Sequence, residues 1–400
     1  MNIRKIREDF SILQKDSKNP LIYFDNACMT LRPRQVIESI NEYYEEYPVC
    51  ALRSHHKLSR LATEKVDVAR KEVQKFISAK KRNEVIFTKN TTEGINLIAN
   101  TLNLKGGTIL THDKEHNSNH VKWVDMVNKG IIKHKIVDTN EDGTFNLENF
   151  ENKIDKDVKL VSMGHISNLD GVEIPLKEII KITHDNGAKI LVDAAQSVPH
   201  KEINVKKLGV DFLAFSGHKM LGPTGTGVLY VNEKNYEEME GFVLGGETVK
   251  DAKYGSFEYE EPPMKYEAGL QDYSGQIGLA AASRYLSRIG MKSIAKQEEK
   301  INKIITEGLI DSVELIGPKD HKLRSGIFNF NIKNMDPHII AGMLDSSRNI
   351  AVRSGAHCVH SWFNKLHLQG SVRASTYFYN TEEEAEIFSN EVKKLIELNK

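Results

Sequence analysis

The sequence is poor in cysteine, has no excess of either charge and contains no long apolar run, and each absence excludes a class of protein. Three cysteines, Cys28, Cys50 and Cys358, are too few for a disulfide framework, and their odd number predicts free thiols in a reducing compartment. The 55 basic and 55 acidic residues cancel, so charge favours neither nucleic acid nor a membrane surface as partner. No apolar run reaches the ~18 residues of a membrane span.

The chain also lacks targeting and linker signals. Its first ten residues, MNIRKIREDF, contain no apolar core of a signal peptide, so we expect a cytoplasmic protein. No linker rich in Pro or Ser, no internal repeat and no low-complexity tract divides the 400 residues. A chain of this length predicts two domains, which we place at 16–280 and 281–400, with residues 1–15 packing on the second.

Short apolar runs alternate with helical patterns through the first two thirds of the sequence. The predicted strands are EVIFT (84–88), GTILTHD (107–113), KHKIVDT (133–139), VKLVSM (158–163), KILVD (189–193), VDFLAF (210–215) and VLYV (228–231). This alternation is typical of an α/β fold with a mostly parallel sheet of about seven strands. The remainder predicts a smaller α/β domain with a long helix near 276–310, strands near 325–332 and 350–353, and a helix from 382.

Polar residues follow the carboxyl ends of these strands, where open parallel sheets bind ligands. They are Thr91, Thr92, His112, His116, His165, Asn168, Asp193, Gln196, Ser216, His218 and Lys219. The spacing of His112, His116 and His120 also allows a metal site, but His112 ends a strand, which argues against one helix through all three. The sequence therefore predicts a binding site at one edge of the sheet, and we expect no metal in it.

Asp193 and Lys219 allow two interpretations. They form a buried ion pair, or both face one cofactor. Pyridoxal phosphate (PLP) needs a lysine amine, an acid opposite the pyridine nitrogen and donors for its phosphate. The run FSGHKMLGPTGTGVLYV (215–231) supplies the lysine, and we expect Gly222, Gly225 and Gly227 to let the chain pass closely around it.

The same run, with DAAQS before it, closely resembles the lysine segment of class V, fold-type I PLP enzymes, and within them SufS-type cysteine desulfurases. YFDNA, NTTEGIN, EHNSN, YEAG, RSGAHC and SVRAS extend the resemblance in order over most of the chain. The resemblance implies that Lys219 carries PLP, Asp193 pairs with its ring nitrogen, His116 stacks on the ring and Gln196 contacts its phenolic oxygen. It further assigns the phosphate to Thr91, Thr92, Ser216 and His218, the substrate carboxylate to Asn168, Arg373 and Arg353, and the nucleophile to Cys358.

The implied reaction converts L-cysteine to L-alanine and leaves a persulfide on Cys358. Lys219 or His116 would remove the Cα proton, and His357 and His360 flank Cys358 closely enough to favour its thiolate. The resemblance also implies a homodimer and sulfur transfer to an acceptor protein, for iron–sulfur cluster or other sulfur biosynthesis. Cys28 and Cys50 are interpreted as structural thiols, although a role of Cys28 in persulfide handling is a second hypothesis.

The sequence departs from the family pattern at one loop. Relatives usually carry Glu-Ala-Gly-Thr-Pro-Asn, whose Thr reaches the phosphate of the partner subunit's cofactor, whereas residues 267–272 read Glu-Ala-Gly-Leu-Gln-Asp. Leu270 cannot donate that bond, so either Gln271 replaces it or phosphate is held more weakly. Arg53, which matches an arginine of the family's first region, is expected near the dimer interface.

Two other functions stay open at this point. Another class V enzyme, such as a selenocysteine lyase, a kynureninase-like hydrolase or an aminotransferase, would keep its turnover without Cys358. A non-catalytic scaffold would bind PLP and turn nothing over. The complete set of Lys219, Asp193, Cys358 and Arg373 favours the desulfurase.

Overall fold

The structure, a computed structural model, describes residues 1–399 and is organised around two sheets. The strands are β1 (Ile22–Tyr23), β2 (Val85–Thr88), β3 (Thr108–His112), β4 (Lys133–Val137), β5 (Val158–Gly164), β6 (Lys189–Asp193), β7 (Phe212–Ser216), β8 (Gly227–Val231), β9 (Val249–Lys253), β10 (Ser256–Tyr259), β11 (Glu314–Ile316), β12 (Ile327–Asn331), β13 (Ile350–Ala351), β14 (Arg353–Gly355) and β15 (Ser371–Ser375). The helices are α1 (Ile3–Arg7), α2 (Arg34–Glu46), α3 (Lys57–Phe76), α4 (Thr91–Thr101), α5 (Val121–Asn128), α6 (Leu147–Lys153), α7 (Leu176–Asp185), α8 (Val205–Leu208), α9 (Tyr273–Ile289), α10 (Met291–Leu309), α11 (Pro337–Arg348), α12 (His360–Lys365) and α13 (Glu382–Leu398).

The larger sheet has seven strands in the order β2-β8-β7-β6-β5-β3-β4. Neighbouring strands from β7 through β4 are parallel, and β8 runs antiparallel to both β7 and β2. Helices cover both faces, which explains why these strands are near-continuous apolar runs. The predicted fold class, a mostly parallel seven-stranded sheet with a smaller α/β part, is confirmed.

Side chains of the central strand β6 alternate between two apolar cores. Ile190 and Val192 pack into one core and Leu191 into the other, and all three are fully buried. Burial of each such side chain contributes about 1.5–3 kcal/mol. A strand fixed on both faces holds its last residue, Asp193, at a set height on the edge of the sheet.

The second sheet is antiparallel, in the order β11-β12-β15-β14, and it packs with α10, α11 and α13 on a separate apolar core. The N-terminal segment joins this part of the chain, because β1 pairs in parallel with β13 and Arg7 forms a 2.8 Å ion pair with Glu384. The sheet brings Arg353 on β14 opposite Arg373 on β15.

The sequence predicts one helix where the structure has two. The pattern over 276–310 predicts a single long helix, but α9 ends at Ile289 and α10 begins at Met291. Gly290 lies between them with φ at +89°, a left-handed value that no helix continues through. The division into 16–280 and 281–400 stays a prediction, and α9 runs continuously across residue 280.

Across residues 1–399, the longer helices all carry too many polar and charged side chains to cross a membrane.

Candidate active site

One cavity of about 230 Å³ lies at the carboxyl ends of the parallel strands, and residues of β14, β15 and the loop after β14 also line it. All twelve predicted site residues line this cavity: Thr91, Thr92, His116, Asn168, Asp193, Gln196, Ser216, His218, Lys219, Arg353, Cys358 and Arg373. Residues separated by up to 282 positions in the sequence therefore share one site.

Asp193 and Lys219 both line the cavity without touching each other. Asp193 is the last residue of β6, and its carboxylate accepts a 2.9 Å hydrogen bond from the backbone N–H of Ala195. Lys219 ends the turn that follows β7. Among residues 1–399, no ion pair within 4.0 Å involves either side chain. A direct buried ion pair is therefore not formed, and the acid and the amine are free to contact the two sides of a ligand.

Burial shifts both groups towards their neutral forms. Desolvation raises the pKa of Asp193, and the positive charge of Lys219 opposes that shift. Desolvation likewise lowers the pKa of Lys219, and Asp193 opposes it. A lysine with a lowered pKa has a larger unprotonated fraction, which is the form that attacks a carbonyl carbon.

The glycine-rich segment after Lys219 packs tightly, as predicted. A Cβ added to Gly227 would lie 2.6 Å from Cα of Asn90, and one added to Gly222 would lie 2.9 Å from the carbonyl oxygen of Gly217. Gly225 has free space around it but needs its hydrogen side chain for a φ of +77°. Any larger residue at Gly227 would push the start of α4 away from the cavity.

One end of the cavity is built to bind an anion. Thr91 and Thr92 are the first residues of α4, and the helix dipole favours negative charge at this end. Ser216 accepts a 2.9 Å bond from the backbone N–H of Thr91 and lies 2.7 Å from its hydroxyl. His218 is held neutral, because burial and the charge of Lys219 lower its pKa to about 4.

Two further residues at this end of the cavity were not identified from the sequence. Ser118 lies 2.7 Å from the hydroxyl of Thr92 and lines the cavity. Asn90 caps α4 by accepting a 3.0 Å bond from the backbone N–H of Glu93. The run Asn-Thr-Thr-Glu is an N-cap signature and would have identified Asn90, whereas no local signal marks Ser118.

His116 is fixed as a neutral ring. Its Nδ1 accepts a 3.1 Å bond from the backbone N–H of Ser118 and lies 3.0 Å from the Ser118 hydroxyl. Burial, with the charges of Lys219 and Arg373, lowers the pKa of His116 to about 3. An uncharged imidazole is suited to stack on an aromatic ligand. His112 ends β3 and His120 precedes α5, so the three histidines do not share a helix.

Glu115 is a buried carboxyl that the sequence analysis missed. It accepts bonds from the backbone N–H of Gly164 at 2.9 Å and from Nδ2 of Asn119 at 2.7 Å. Burial raises its pKa to about 8, and the nearby charge of Asp193 adds to this shift. The sequence signal that could have identified Glu115 was its position directly before His116.

Arg373 supplies a positive charge to the opposite end of the cavity. It is only 2% exposed, and its Nη1 donates a 2.7 Å bond to the backbone carbonyl of Asn168. Within the described part of the chain, its Nε has no hydrogen-bond partner. Asp25 lies 3.6 Å from Nη2. A buried guanidinium that lines a cavity is suited to bind a carboxylate.

Cys358 lies half-buried in the loop between β14 and α12. Both His357 and Cys358 have left-handed backbones, with φ of +49° and +59°. The loop is held by Asn117, whose N–H donates to the Cys358 carbonyl over 2.7 Å, and by Nδ2 of Asn168, which donates to the His357 carbonyl over 2.8 Å. The left-handed loop at Cys358 is therefore anchored by two residues at the edge of the large sheet.

His357 does not act as the prediction had it. Its ring is buried, and Nε2 lies 2.9 Å from the hydroxyl of Ser371. Burial, together with Arg373 and Arg353, lowers its pKa to about 2, so it carries no charge that would favour a thiolate. His360 is exposed and is 2.9 Å from the side-chain nitrogen of Asn117. Both rings therefore have hydrogen-bond partners other than Cys358.

Cys28, interpreted from the sequence as a structural thiol or as a residue that handles persulfide, also lines the cavity. Its Sγ accepts a 2.9 Å hydrogen bond from Nη1 of Arg353, and the same nitrogen is 3.6 Å from Asp25. Cys50 does not line the cavity.

The loop 267–272, whose sequence differs from the family pattern, is held by hydrogen bonds within the loop. Gln271 Nε2 donates to the carbonyls of Ala268 at 2.9 Å and Gly269 at 3.3 Å, so its amide is used within the loop. Leu270 is 72% exposed. Arg53 forms a 2.7 Å ion pair with Glu247. These contacts do not favour Gln271 as the replacement phosphate donor.

The residues fit PLP on the geometry alone. The cavity offers a buried amine and a buried acid that do not contact each other, an anion-binding helix start and a neutral histidine ring. Gln196, predicted at the phenolic oxygen, lines the same cavity and donates over 2.7 Å to the carbonyl of Ala27. Residues 1–399 contain no group of three or more His, Cys, Asp or Glu side chains arranged to hold a metal ion.

Comparison with known proteins identifies the family. The family model described as aminotransferase class V matches residues 22–388. The chain belongs to the class V aminotransferases. This family is PLP-dependent, so PLP is the cofactor of the protein.

Within the class V aminotransferases, the similar proteins are cysteine desulfurases. A probable cysteine desulfurase of Pyrococcus abyssi is 41% identical over 98% of this chain and 97% of its own length. A cysteine desulfurase of Escherichia coli O8 is 36% identical over 96% of each chain. The solved apo structure of cysteine desulfurase from Thermococcus onnurineus NA1 superposes with a TM-score of 0.94 at 41% identity, covering 98% of each chain. Fold and sequence therefore agree on the same relatives.

Proposed function

We propose that this protein, a cysteine desulfurase by its relationships, converts L-cysteine to L-alanine and takes the sulfur as a persulfide on Cys358. The observation that carries the proposal is the meeting of Lys219, Arg373 and Cys358 at one cavity. A PLP enzyme needs the lysine and a carboxylate-binding group, but only sulfur transfer to the protein needs the cysteine.

Substrate binding falls to the arginine end of the cavity. Arg373 binds the carboxylate of L-cysteine through its guanidinium group, and Arg353 adds a second positive charge. Asn168 keeps Arg373 in place through its backbone carbonyl. With the carboxylate fixed there, the substrate amine and Cα are directed towards Lys219.

PLP, when bound, takes up the negative charge that develops on the substrate carbon atoms. Lys219 is the base for the Cα proton, because its lowered pKa provides unprotonated amine. Asp193 stays near the ring nitrogen as the buried acid, and His116 provides a flat neutral surface.

Cys358 accepts the sulfur. Its thiolate attacks Sγ of the substrate, the substrate Cβ–Sγ bond breaks, and its electron pair stays on carbon, which is then protonated to give alanine. Arg353 and Lys219 lie near enough for their positive charges to act on Cys358.

The proposal extends to a homodimer, a sulfur-acceptor protein and a cytoplasmic location. Support for a partner surface comes from the exposed apolar side chains of Val243 and Leu270, which line one groove beside the loop 267–272. Apolar side chains grouped on a surface are typical of protein interfaces. Sedimentation of the holoenzyme at twice the chain mass tests the dimer, and a fully active monomer contradicts it.

A paired assay tests the proposed function. Wild type, Cys358→Ala and Cys50→Ala are supplied with L-cysteine and a reductant, and alanine and sulfide are quantified. Wild type and Cys50→Ala are expected to form both in equal amounts and Cys358→Ala neither, with PLP bound to all three. Equal turnover by Cys358→Ala would assign a lyase that does not use this cysteine.

A further inference from the structure

The cavity contains a second thiol for which the reaction above has no use. Cys28 lies in the turn after Asp25, where its backbone N–H donates to the Asp25 carbonyl over 3.2 Å. The preceding residue, Ala27, donates to the hydroxyl of Ser375 over 2.9 Å, so the turn is tied to the second sheet. Cys28 is half-buried and lines the cavity together with Cys358.

Arg353 links the two thiols. Its Nη1 donates to Cys28 Sγ over 2.9 Å, and its charge also acts on Cys358. Lys219 is likewise within electrostatic range of both sulfurs. Cations beside a cysteine favour its thiolate, which is the form that exchanges with a persulfide or a disulfide. Two thiols in one cavity thus share the same positive charges.

Cys50 provides the contrast. It is also half-buried, but its Sγ lies 3.4 Å from the carbonyl oxygen of Ala51, and it lines no part of the active-site cavity. Within residues 1–399, no arginine or lysine donates a hydrogen bond to it. The guanidinium contact at Cys28 is therefore a feature of that site and not of cysteines in this protein generally.

We propose that Cys28 is a second sulfur acceptor, which takes the sulfane sulfur from the persulfide of Cys358. The inference rests on the proposed function, since Cys358 must first be charged with sulfur from L-cysteine.

The transfer needs no oxidant or reductant. The Cys28 thiolate attacks the terminal sulfur of the Cys358 persulfide and forms a new sulfur–sulfur bond. The bond between that sulfur and Cys358 Sγ breaks, and its electron pair leaves with Cys358 as a thiolate. The proton on the terminal sulfur travels with it. One thiolate is consumed and one is formed, so Arg353 neutralises a single negative charge before and after the step.

The consequence is a doubled sulfur capacity. With Cys358 restored as a thiolate, the same chain accepts sulfur from a second L-cysteine before any external acceptor arrives. Without reductant or acceptor, each chain should therefore form two equivalents of alanine instead of one.

The test is a burst experiment on the holoenzyme with excess L-cysteine and no reductant. Wild type and Cys50→Ala are expected to release two equivalents of alanine per chain in the burst, and Cys28→Ala one equivalent, a twofold difference. After alkylation and digestion, peptide mass spectrometry of wild type should find the added sulfur on both Cys28 and Cys358. In Cys358→Ala, Cys28 should carry none.

Equal burst amplitudes in wild type and Cys28→Ala, with added sulfur only on Cys358, would overturn the inference. The wild-type peptide map gives this answer even if a variant folds poorly. Failure of the proposed function has a different signature, since wild type would then give no alanine and no sulfur on either cysteine.

Discussion

The backbone N–H of Asn117 donates a 2.7 Å hydrogen bond to the carbonyl oxygen of Cys358. Asn117 follows His116, the ring expected over the cofactor, while Cys358 belongs to the loop that enters from the second sheet. The bond therefore joins the two halves of the site at the residue that we propose receives sulfur. Both His357 and Cys358 have left-handed backbones, and such a loop persists only when its surroundings hold it.

The second hydrogen bond that holds this loop comes from Asn168 and can be removed by mutation. Asn168→Ala removes the 2.8 Å bond from Nδ2 to the His357 carbonyl but keeps the backbone carbonyl that Arg373 uses. Loss of a buried hydrogen bond costs about 1–3 kcal/mol. If that energy holds the loop in its reactive position, kcat/KM for L-cysteine falls about tenfold or more.

Asn331→Ala is the matched control for Asn168→Ala. Its side chain also donates to a backbone carbonyl, that of Gly370 at 3.1 Å, but it does not line the cavity. Alanine formation measured for both variants should fall only for Asn168→Ala. An equal loss in both would show that the contact to the nucleophile loop has no special part.

A buried ion pair supports the loop that departs from the family pattern. Arg70 and Glu267 form two hydrogen bonds of 2.7 and 2.8 Å, and Glu267 also accepts from the backbone N–H of Phe87. Removing one partner of a buried pair costs about 3–5 kcal/mol. Urea unfolding should therefore show Glu267→Ala to be strongly destabilised.

The exposed pair of Lys250 and Glu258, 3.2 Å apart, provides the comparison, because solvent screens an exposed pair and leaves it little net stabilisation. Glu258→Ala should leave the urea midpoint nearly unchanged. Similar midpoints for the two variants would mean that Arg70 and Glu267 do not act as a buried pair.

Buried neutral histidines predict loss of stability in acid. The pKa of His357 is lowered to about 2 and that of His116 to about 3, against about 6.5 in an unfolded chain. Between these values the unfolded chain binds more protons than the folded one, so stability falls as pH falls from 6.5. Each such histidine costs about 1.4 kcal/mol per pH unit in that window.

His357→Asn isolates one of these histidines. Asparagine tolerates the left-handed backbone at this position and does not titrate. On lowering pH from 6.5 to 5, its free energy of unfolding should fall by about 2 kcal/mol less than that of wild type. Parallel losses in the two proteins, measured by urea unfolding at each pH, would refute a buried neutral ring at His357.

The sequence predicted the sheet and most of the cavity for physical reasons that the structure makes plain. Parallel strands are apolar throughout, so Asp193 and the residues after β7 stand out where each strand ends. Contacts between segments that are distant in sequence could not be predicted in this way. Nothing local shows that Cys28 meets Arg353, 325 residues later, or that Ser118 meets Thr92.

Other differences came from backbone and burial effects. Apolar periodicity continues from α9 into α10, and only the positive φ of Gly290 separates them. Adjacency in sequence suggested His357 as a partner of Cys358, but the left-handed turn directs the ring to Ser371. A neighbour along the chain is thus a poor guide to a contact wherever the backbone turns sharply.

The central claim is that sulfur passes from L-cysteine to Cys358 in the same event that forms alanine. Rapid-quench sampling of the first turnover, with alanine and protein-bound persulfide measured together, tests it most directly. The account predicts that both appear at one rate and in equal amounts in wild type, and that neither forms in Cys358→Ala. Alanine accompanied by free sulfide, with no sulfur on Cys358 at any time, would contradict it.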